Sequence, residues 1–204
     1  MQMGTKDVKR VSEFRRPQYE IDSLFVNRWS PRAMSGEPIG EEELMRLFEA
    51  ARWAPSCFNE QPWRFLYARR DDEHWSTFFD LMVEGNQAWA KNAAALVVVV
   101  SRTKFTHNGK PDRFHSFDTG AAWENLALQA TLSGLVVHGM GGFDADGARK
   151  SLGIPDDHAV EAMIAVGRPG KKEDLPEALQ EREQPSDRKP LSELVMHGKF
   201  RNRG

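Results

Sequence analysis

Ala54-Pro55-Ser56-Cys57-Phe58-Asn59-Glu60-Gln61-Pro62-Trp63 leaves an amphipathic stretch and enters a proline-bounded loop of small polar side chains. Before it, Glu41, Glu42 and Glu43 place negative charge in a first helical turn, where the helix dipole favours it. Leu44, Leu47, Phe48 and Ala51 then recur at helical spacing and give one apolar face. Pro55 cannot sit in a helix interior, so the helix is expected to end there and the polar loop to begin. Ser56, Asn59 and Gln61 each donate and accept hydrogen bonds, a set suited to a planar ligand with a polar edge. Upstream, Arg28-Trp29-Ser30-Pro31-Arg32 sets two guanidinium groups around a serine, a composition suited to a phosphate. Taken alone, the loop also reads as ordinary turn chemistry, and the arginines as surface charges beside a turn.

Working outward, Tyr19 to Val26 reads as a helix and Arg64 to Ala68 as a short strand. Asp71 or Asp72 can cap a second helix that carries Trp75, Phe78, Phe79 and Met82 on one stripe. That helix is expected to stop at Gly85-Asn86, a C-cap pairing. Leu96 to Val100 is continuous and β-branched, the pattern of a strand buried on both faces. Lys104 to Phe117 reads as a polar loop. Asp118 to Ser133 reads as a long helix whose alanines allow close approach, with Gly134 just past its end. Leu135 to His138 reads as a strand, Gly139 to Gly142 as a glycine turn, Asp144 to Leu152 as a short helix closed by Gly153, and Val160 to Val166 as an alternating strand. Pro169 to Pro190 is charged and proline-punctuated, an arm with little core of its own. Alternating strands and helices imply a layered α/β or α+β fold.

Composition narrows the function classes. The chain has 204 residues, 40% hydrophobic and 28% charged, which fits one globular domain. A net charge of -2 argues against nucleic acid as the main partner, because backbone binding needs a basic excess. The longest aliphatic run, Ala93 to Val100, is too short to span a bilayer, and Met1 to Arg16 holds no apolar segment of the kind a secretory signal needs. Cys57 is the single cysteine, so no intrachain disulfide framework is possible and a reducing cytoplasm fits. His74, His107, His115, His138, His158 and His197 show no metal-ligand spacing, so no metal is expected. No G-x-S-x-G elbow or P-loop is present. In Gly139-Met140-Gly141-Gly142-Phe143-Asp144 the third glycine of a dinucleotide fingerprint would fall on Asp144, so that fingerprint fails.

A flavin mononucleotide combines a polar-edged ring with a terminal phosphate. In order and wording, the two opening segments resemble the FMN-dependent nitroreductase-like family, which carries an Arg-x-Ser-x-Arg/Lys motif followed by a Pro-Ser-x-x-Asn-x-Gln-Pro-Trp loop. The likeness extends from Ser23 to Leu194. It includes Arg188, which stands just before Pro190-Leu191 where the family places a basic residue that closes on the phosphate. Guanidinium groups converging from distant positions repel one another unless a dianion neutralises them.

The resemblance implies a three-layer α+β fold with a central, mainly antiparallel sheet flanked by helices, built as an intertwined homodimer with FMN at the interface. Residues 19–196 would form the FMN-binding domain, including the arm 169–196, with an extension over 1–18 and a disordered basic tail over 197–204. Arg28 and Arg188 would hold the phosphate, with Arg32 nearer the ribityl chain and ring, and Trp29 and Ser30 would also belong to the cofactor-binding set. Pro55, Ser56, Cys57 and Asn59 would reach the flavin across the subunit boundary. Asn86 matches a position that bonds the pyrimidine edge, though beside glycine it also reads as a helix cap. Gly139, Met140, Gly141 and Gly142 would face the flavin through main-chain groups, glycine permitting close approach.

Two departures stand out. Trp89 occupies the place of a family lysine, and Gly139 and Gly141 replace the proline and glutamate common in that turn. The implied reaction takes electrons from NAD(P)H through flavin to a small acceptor such as a nitroaromatic or quinone, with no catalytic side chain named. Dehalogenases, flavin-fragmenting enzymes, dehydrogenases and a non-catalytic FMN-binding protein remain open on the same scaffold.

Overall fold

The aliphatic run of the sequence becomes the central strand. The computed structural model describes residue 11 and residues 14–201; the expectations for residues 1–10, 12, 13 and 202–204 lie outside that range. In chain order the elements are α1 (Ser23–Asn27), α2 (Glu41–Arg52), β1 (Trp63–Arg69), α3 (Trp75–Asp80), α4 (Glu84–Ala90), β2 (Ala95–Arg102), α5 (His115–Leu132), β3 (Val136–Met140), α6 (Ala145–Ser151), β4 (His158–Gly167), α7 (Glu177–Gln180) and α8 (Leu191–Leu194). The four strands form one sheet in the order β1-β2-β4-β3, and every neighbouring pair is antiparallel.

Successive residues of β2 point to opposite faces, and both faces are covered. Leu96, Val98 and Val100 pack with Met163 and Ala165 against Phe78, Met82, Trp89 and Ala148. Val97 and Val99 pack with Ile164 and Val166 against Leu44, Leu47 and Ala51 of α2 and Ala122, Leu126, Ala127 and Ala130 of α5. The result is the expected α+β arrangement of three layers. The alanines of α5 let it lie close on α2 and the sheet within one chain. Among the described residues, no helix is long and apolar enough to cross a membrane.

Several local expectations are corrected. The first helix covers only Ser23–Asn27, because Asp22 caps it by accepting from the Leu24 amide at 2.8 Å. Gly85 and Asn86 lie inside α4 and do not end a helix. The single helix expected there breaks after Asp80, since Met82 pairs with Phe143 and the Val83 amide donates to the Gly142 carbonyl at 3.1 Å. That pairing holds the intervening chain extended. Gly139 and Met140 are not in a turn; they pair with Ile164 and Met163 as the end of β3. The long helix begins at His115, before the expected Asp118, and within the polar loop ahead of it Lys104 pairs with Pro111. β4 does not simply alternate: Met163 to Gly167 are all buried, inside the three layers. Gly134 and Gly153 stand where expected, at φ 69° and 65° past the ends of α5 and α6.

The arm closes on the segment that follows α1. The Gly170 amide donates to the Ala33 carbonyl at 2.9 Å, and the Ser35 amide to the Arg168 carbonyl at 3.1 Å. Leu175 is buried. The buried Glu183 carboxylate accepts from the amides of Arg32 and Ala33, each at 2.8 Å. A Cβ on Gly170 would lie 2.5 Å from the Met34 carbonyl carbon and 2.8 Å from its amide nitrogen. The obstacle is backbone, which cannot move aside as a flexible side chain would. Gly170→Ala is therefore expected to destabilise the fold by about 3 kcal/mol, read as a drop in the thermal midpoint. An unchanged midpoint would mean that this crossing is loose.

Candidate functional site

The segment after α1 and the C-terminal arm enclose a cavity of about 280 Å³ lined by Arg28, Trp29, Ser30, Arg32, Arg182 and Arg188, with Arg15 and His138. The structure thus gathers Arg28, Trp29, Ser30, Arg32 and Arg188, read from sequence as one group, and adds Arg15, His138, Arg182, Gln184 and Ser186, which the sequence reading did not assign. They arrive by separate routes from distant parts of the chain. Arg28 and Arg32 lie on the irregular segment that leaves α1. Arg182 and Arg188 are carried in by the arm that Glu183 fastens down. His138 projects from β3.

Arg15 is a buried brace. Its Nε donates to the Ser186 carbonyl at 2.8 Å, and its Nη1 to the carbonyls of Val26 and Arg28 at 2.7 and 2.6 Å. It ties the arm to the Arg28 segment. Burial, followed by the nearby Arg188 and Arg28 cations, pushes its guanidinium below the usual arginine value, while Asp187 partly offsets this. The Nε of Arg28 lies 3.2 Å from Glu124 Oε1 on α5. The Arg188 guanidinium reaches the Asp187 carbonyl at 3.0 Å and the Ser186 hydroxyl at 3.2 Å.

His138 lies against the Trp89 ring, with centroids 4.7 Å apart. Its Nδ1 is 3.2 Å from the Pro31 carbonyl; a carbonyl only accepts, so Nδ1 carries the proton. Burial, and then the Arg32 cation, holds this imidazole below its usual range, which keeps it neutral among the arginines. Trp89 is only 2% exposed. Where the family has a lysine, this chain has a core side chain that backs His138.

The loop from Ala54 to Trp63 lies elsewhere. Phe58, Asn59 and Gln61 have φ of 54°, 57° and 50°, in the left-handed region that non-glycine residues seldom occupy. Such strain persists only where surrounding bonds enforce it. Here Ser56 Oγ accepts from the Gln61 amide at 2.9 Å, and Gln61 Nε2 donates to the Asn59 carbonyl at 2.9 Å. The Cys57 amide donates to Asp118 Oδ2 at 2.8 Å, and the Thr106 amide to Glu60 Oε1 at 2.6 Å. Pro55 leads into this turn. Burial, together with Asp112 and Asp118, raises the Cys57 thiol above its usual value, the opposite of what a nucleophilic thiol needs.

The third group is Asn86 with Gly142. Asn86 Nδ2 donates to the Gly142 carbonyl at 2.9 Å. A Cβ on Gly142 would come within 3.0 Å of both Asn86 Nδ2 and Val83 Cγ2, and one on Gly139 within 3.3 Å of the Trp123 ring. Met140 is buried in the core. Gly141 alone faces open space.

The Ser56–Gln61 turn feeds β1 at one edge of the sheet, and His138 belongs to β3 at the other edge. Three strand spacings separate the two edges, roughly 14 Å. Within one chain, Pro55, Ser56, Cys57 and Asn59 therefore do not line the arginine cavity. Among the described residues, no group of three or more His, Cys, Asp or Glu side chains is placed to hold a metal ion.

Arginines drawn from three parts of the chain line a small cavity on a layered α+β scaffold. A sequence profile of the nitroreductase family matches residues 26–88 and 75–168, and the chain belongs to that family. An Archaeoglobus fulgidus protein provisionally named NADH dehydrogenase/NAD(P)H nitroreductase is 30% identical over 163 residues, covering 78% of this chain and 91% of its own. A crystal structure described as an oxidoreductase containing FMN is similar with a TM-score of 0.89 at 49% identity, covering 92% of this chain and 96% of that one. A provisionally named nitroreductase from Desulfovibrio desulfuricans, solved in complex with FMN, has a TM-score of 0.70 at 25% identity and covers 90% of this chain and 100% of its own.

Proposed function

We propose that this chain is an FMN-dependent oxidoreductase that takes electrons from NAD(P)H and passes them to a small organic acceptor by ping-pong kinetics. The observation that carries the reading is the convergence of Arg28, Arg32, Arg182 and Arg188 on one cavity. Glu124 beside Arg28 and Glu183 beside the Arg32 backbone offset only part of that positive charge, so a phosphate dianion suits the donor set. A volume of about 280 Å³ is below the roughly 300–1,000 Å³ of sites that enclose a whole organic ligand. It suits a phosphate with its attached chain, with the ring extending outward.

Arg28 and Arg188 would hold the phosphate, Arg32, Trp29 and Ser30 the ribityl side, and His138 a hydroxyl. Asn86, Gly141 and the turn Ser56–Asn59 would meet the ring. FMN bound there supplies two-electron redox chemistry between a nicotinamide and an acceptor such as a nitroaromatic or quinone. The chain's own part is to bind, orient and shield. A homodimer fits this assignment, because a second copy can bring its Ser56–Gln61 turn to the cavity edge that the first copy leaves open. Exposed Phe25, Phe58, Phe117, Leu194 and Val195 offer apolar area for such an assembly.

The protein is expected to purify yellow with about one FMN per chain, since each chain carries one arginine cavity. Anaerobic stopped-flow mixing with NADH and NADPH in turn is expected to bleach the flavin. A protein that binds no FMN overturns the reading. Stable binding without bleaching by either nicotinamide leaves an FMN-binding protein without turnover.

A further inference from the structure

Asp118 is 5% exposed, on the first turns of α5, and its Oδ2 holds the Cys57 amide at 2.8 Å. That amide opens the Cys57–Asn59 turn, whose Phe58 and Asn59 are both left-handed. Among the described residues, no other element places a charged acceptor on the backbone of this half of the turn; Glu60 holds the far half through Thr106. We propose that Asp118 is a positioning residue for the cofactor: it fixes the strained turn so that Ser56 and Asn59 present a set geometry to the flavin ring.

The base on which Asp118 stands is itself pinned. The pairing of β2 with β4 shifts register between Val99↔Ala162 and Val100↔Val160, which leaves Glu161 as the extra residue of a bulge. Bulges re-aim side chains. Here the Glu161 carboxylate accepts from the hydroxyl of the fully buried Ser101 and from Ser116 Oγ, the latter at 2.7 Å. His115 Nδ1 completes the cluster, 2.7 Å from Ser101 Oγ. His115 and Ser116 are the first residues of α5, so the sheet fixes the start of the helix. Asp118, one turn on, is thereby held rigidly against the loop. A carboxylate accepting from a backbone amide makes a charge-assisted bond about twice as strong as a neutral one.

The inference rests on the reading that the turn meets FMN, and the test separates the two. Wild type, Asp118→Ala and Asp118→Asn are titrated with FMN and with riboflavin, which lacks the phosphate. Asp118→Ala is expected to weaken both ligands by about tenfold, or 1.4 kcal/mol, and by the same factor, because only the ring side is disturbed. Asp118→Asn keeps an acceptor of equal length without the charge, and is expected to recover most of that loss. The rise in thermal midpoint caused by inorganic phosphate is expected to be the same in all three, which shows the arginine cavity intact. Affinities within twofold of wild type in Asp118→Ala overturn the positioning role. If that variant does not fold, Asp118→Glu decides, because it keeps the charge but displaces the acceptor by one methylene: an equal weakening of FMN and riboflavin supports the role, and affinities within twofold of wild type overturn it. A wild type that binds neither flavin defeats the underlying reading instead.

Discussion

Arg28→Glu and Arg188→Glu are each expected to lower FMN affinity by at least about 100-fold while leaving the fold in place. A hydrogen bond to a charged group contributes roughly 1.5–3 kcal/mol, and the substitution replaces it with a like-charge contact. Two charges 4 Å apart near a protein surface repel by about 4 kcal/mol before salt screening. A net loss near 3 kcal/mol is therefore a conservative reading, equivalent to about 100-fold. The two sites differ in their side effects. Arg28 also faces Glu124 at 3.2 Å, so Arg28→Glu sets two carboxylates together and costs some stability as well. Among the described residues, Arg188 bonds within its own short stretch, to Ser186 and Asp187, so Arg188→Glu is the cleaner test. The measurement is the FMN dissociation constant against salt concentration. Wild type is expected to weaken steeply as salt screens the phosphate contact, and each variant to show a flatter slope. Equal slopes and equal affinities would make these arginines surface charges and remove the physical support for the flavin assignment.

What was legible in the sequence divides along a physical line. Strand β2 is readable because a β-branched run buried on both faces carries its own signal. The end of α5 is readable because Gly134 supplies a conformation that its neighbours avoid. The break between α3 and α4 is not, since it comes from Met82 pairing with Phe143, far along the chain. Local stripe spacing through Trp75, Phe78, Phe79 and Met82 says helix, and the tertiary pairing overrides it. The same holds for Gly139 and Met140, whose glycine-rich neighbourhood reads as a turn until β4 supplies a partner. In the site, Arg28, Arg32 and Arg188 are found by motif. Arg15 and Arg182 sit in charged stretches where one arginine looks like any other, and only the folded arm shows that they face inward. His138 lacks any spacing signal; its meaning comes from Trp89 behind it and Pro31 beside it. Glu183 reads as one more acid in a solvated run, yet it is among the most buried charges of the described residues.

Glu183→Ala is expected to combine the second largest loss of cofactor with a large loss of stability, although Glu183 does not line the cavity. Its carboxylate accepts from the Arg32 amide at 2.8 and 3.1 Å and from the Ala33 amide at 2.8 Å, and the side chain is buried. Truncation strands both amides away from water, at about 1–3 kcal/mol each. A total near 4 kcal/mol corresponds to a thermal midpoint lower by roughly 10 °C for a chain of this size. The arm then loses its fastening to the Arg32 segment, and Arg182 and Arg188 leave the cavity with it. The sign of the effect on FMN is what decides. Electrostatics alone predicts tighter binding, since a negative charge is removed beside a cluster of arginines. Loss of the arm predicts weaker binding, by about tenfold or more at ordinary salt, because two charge-assisted contacts go with it. Glu183→Gln keeps one acceptor oxygen and is expected to fall between wild type and Glu183→Ala in both midpoint and affinity. Tighter FMN binding in Glu183→Ala would show that the arm stays in place without its carboxylate, and that the Arg15 bond to the Ser186 carbonyl is enough to keep Arg188 at the cavity.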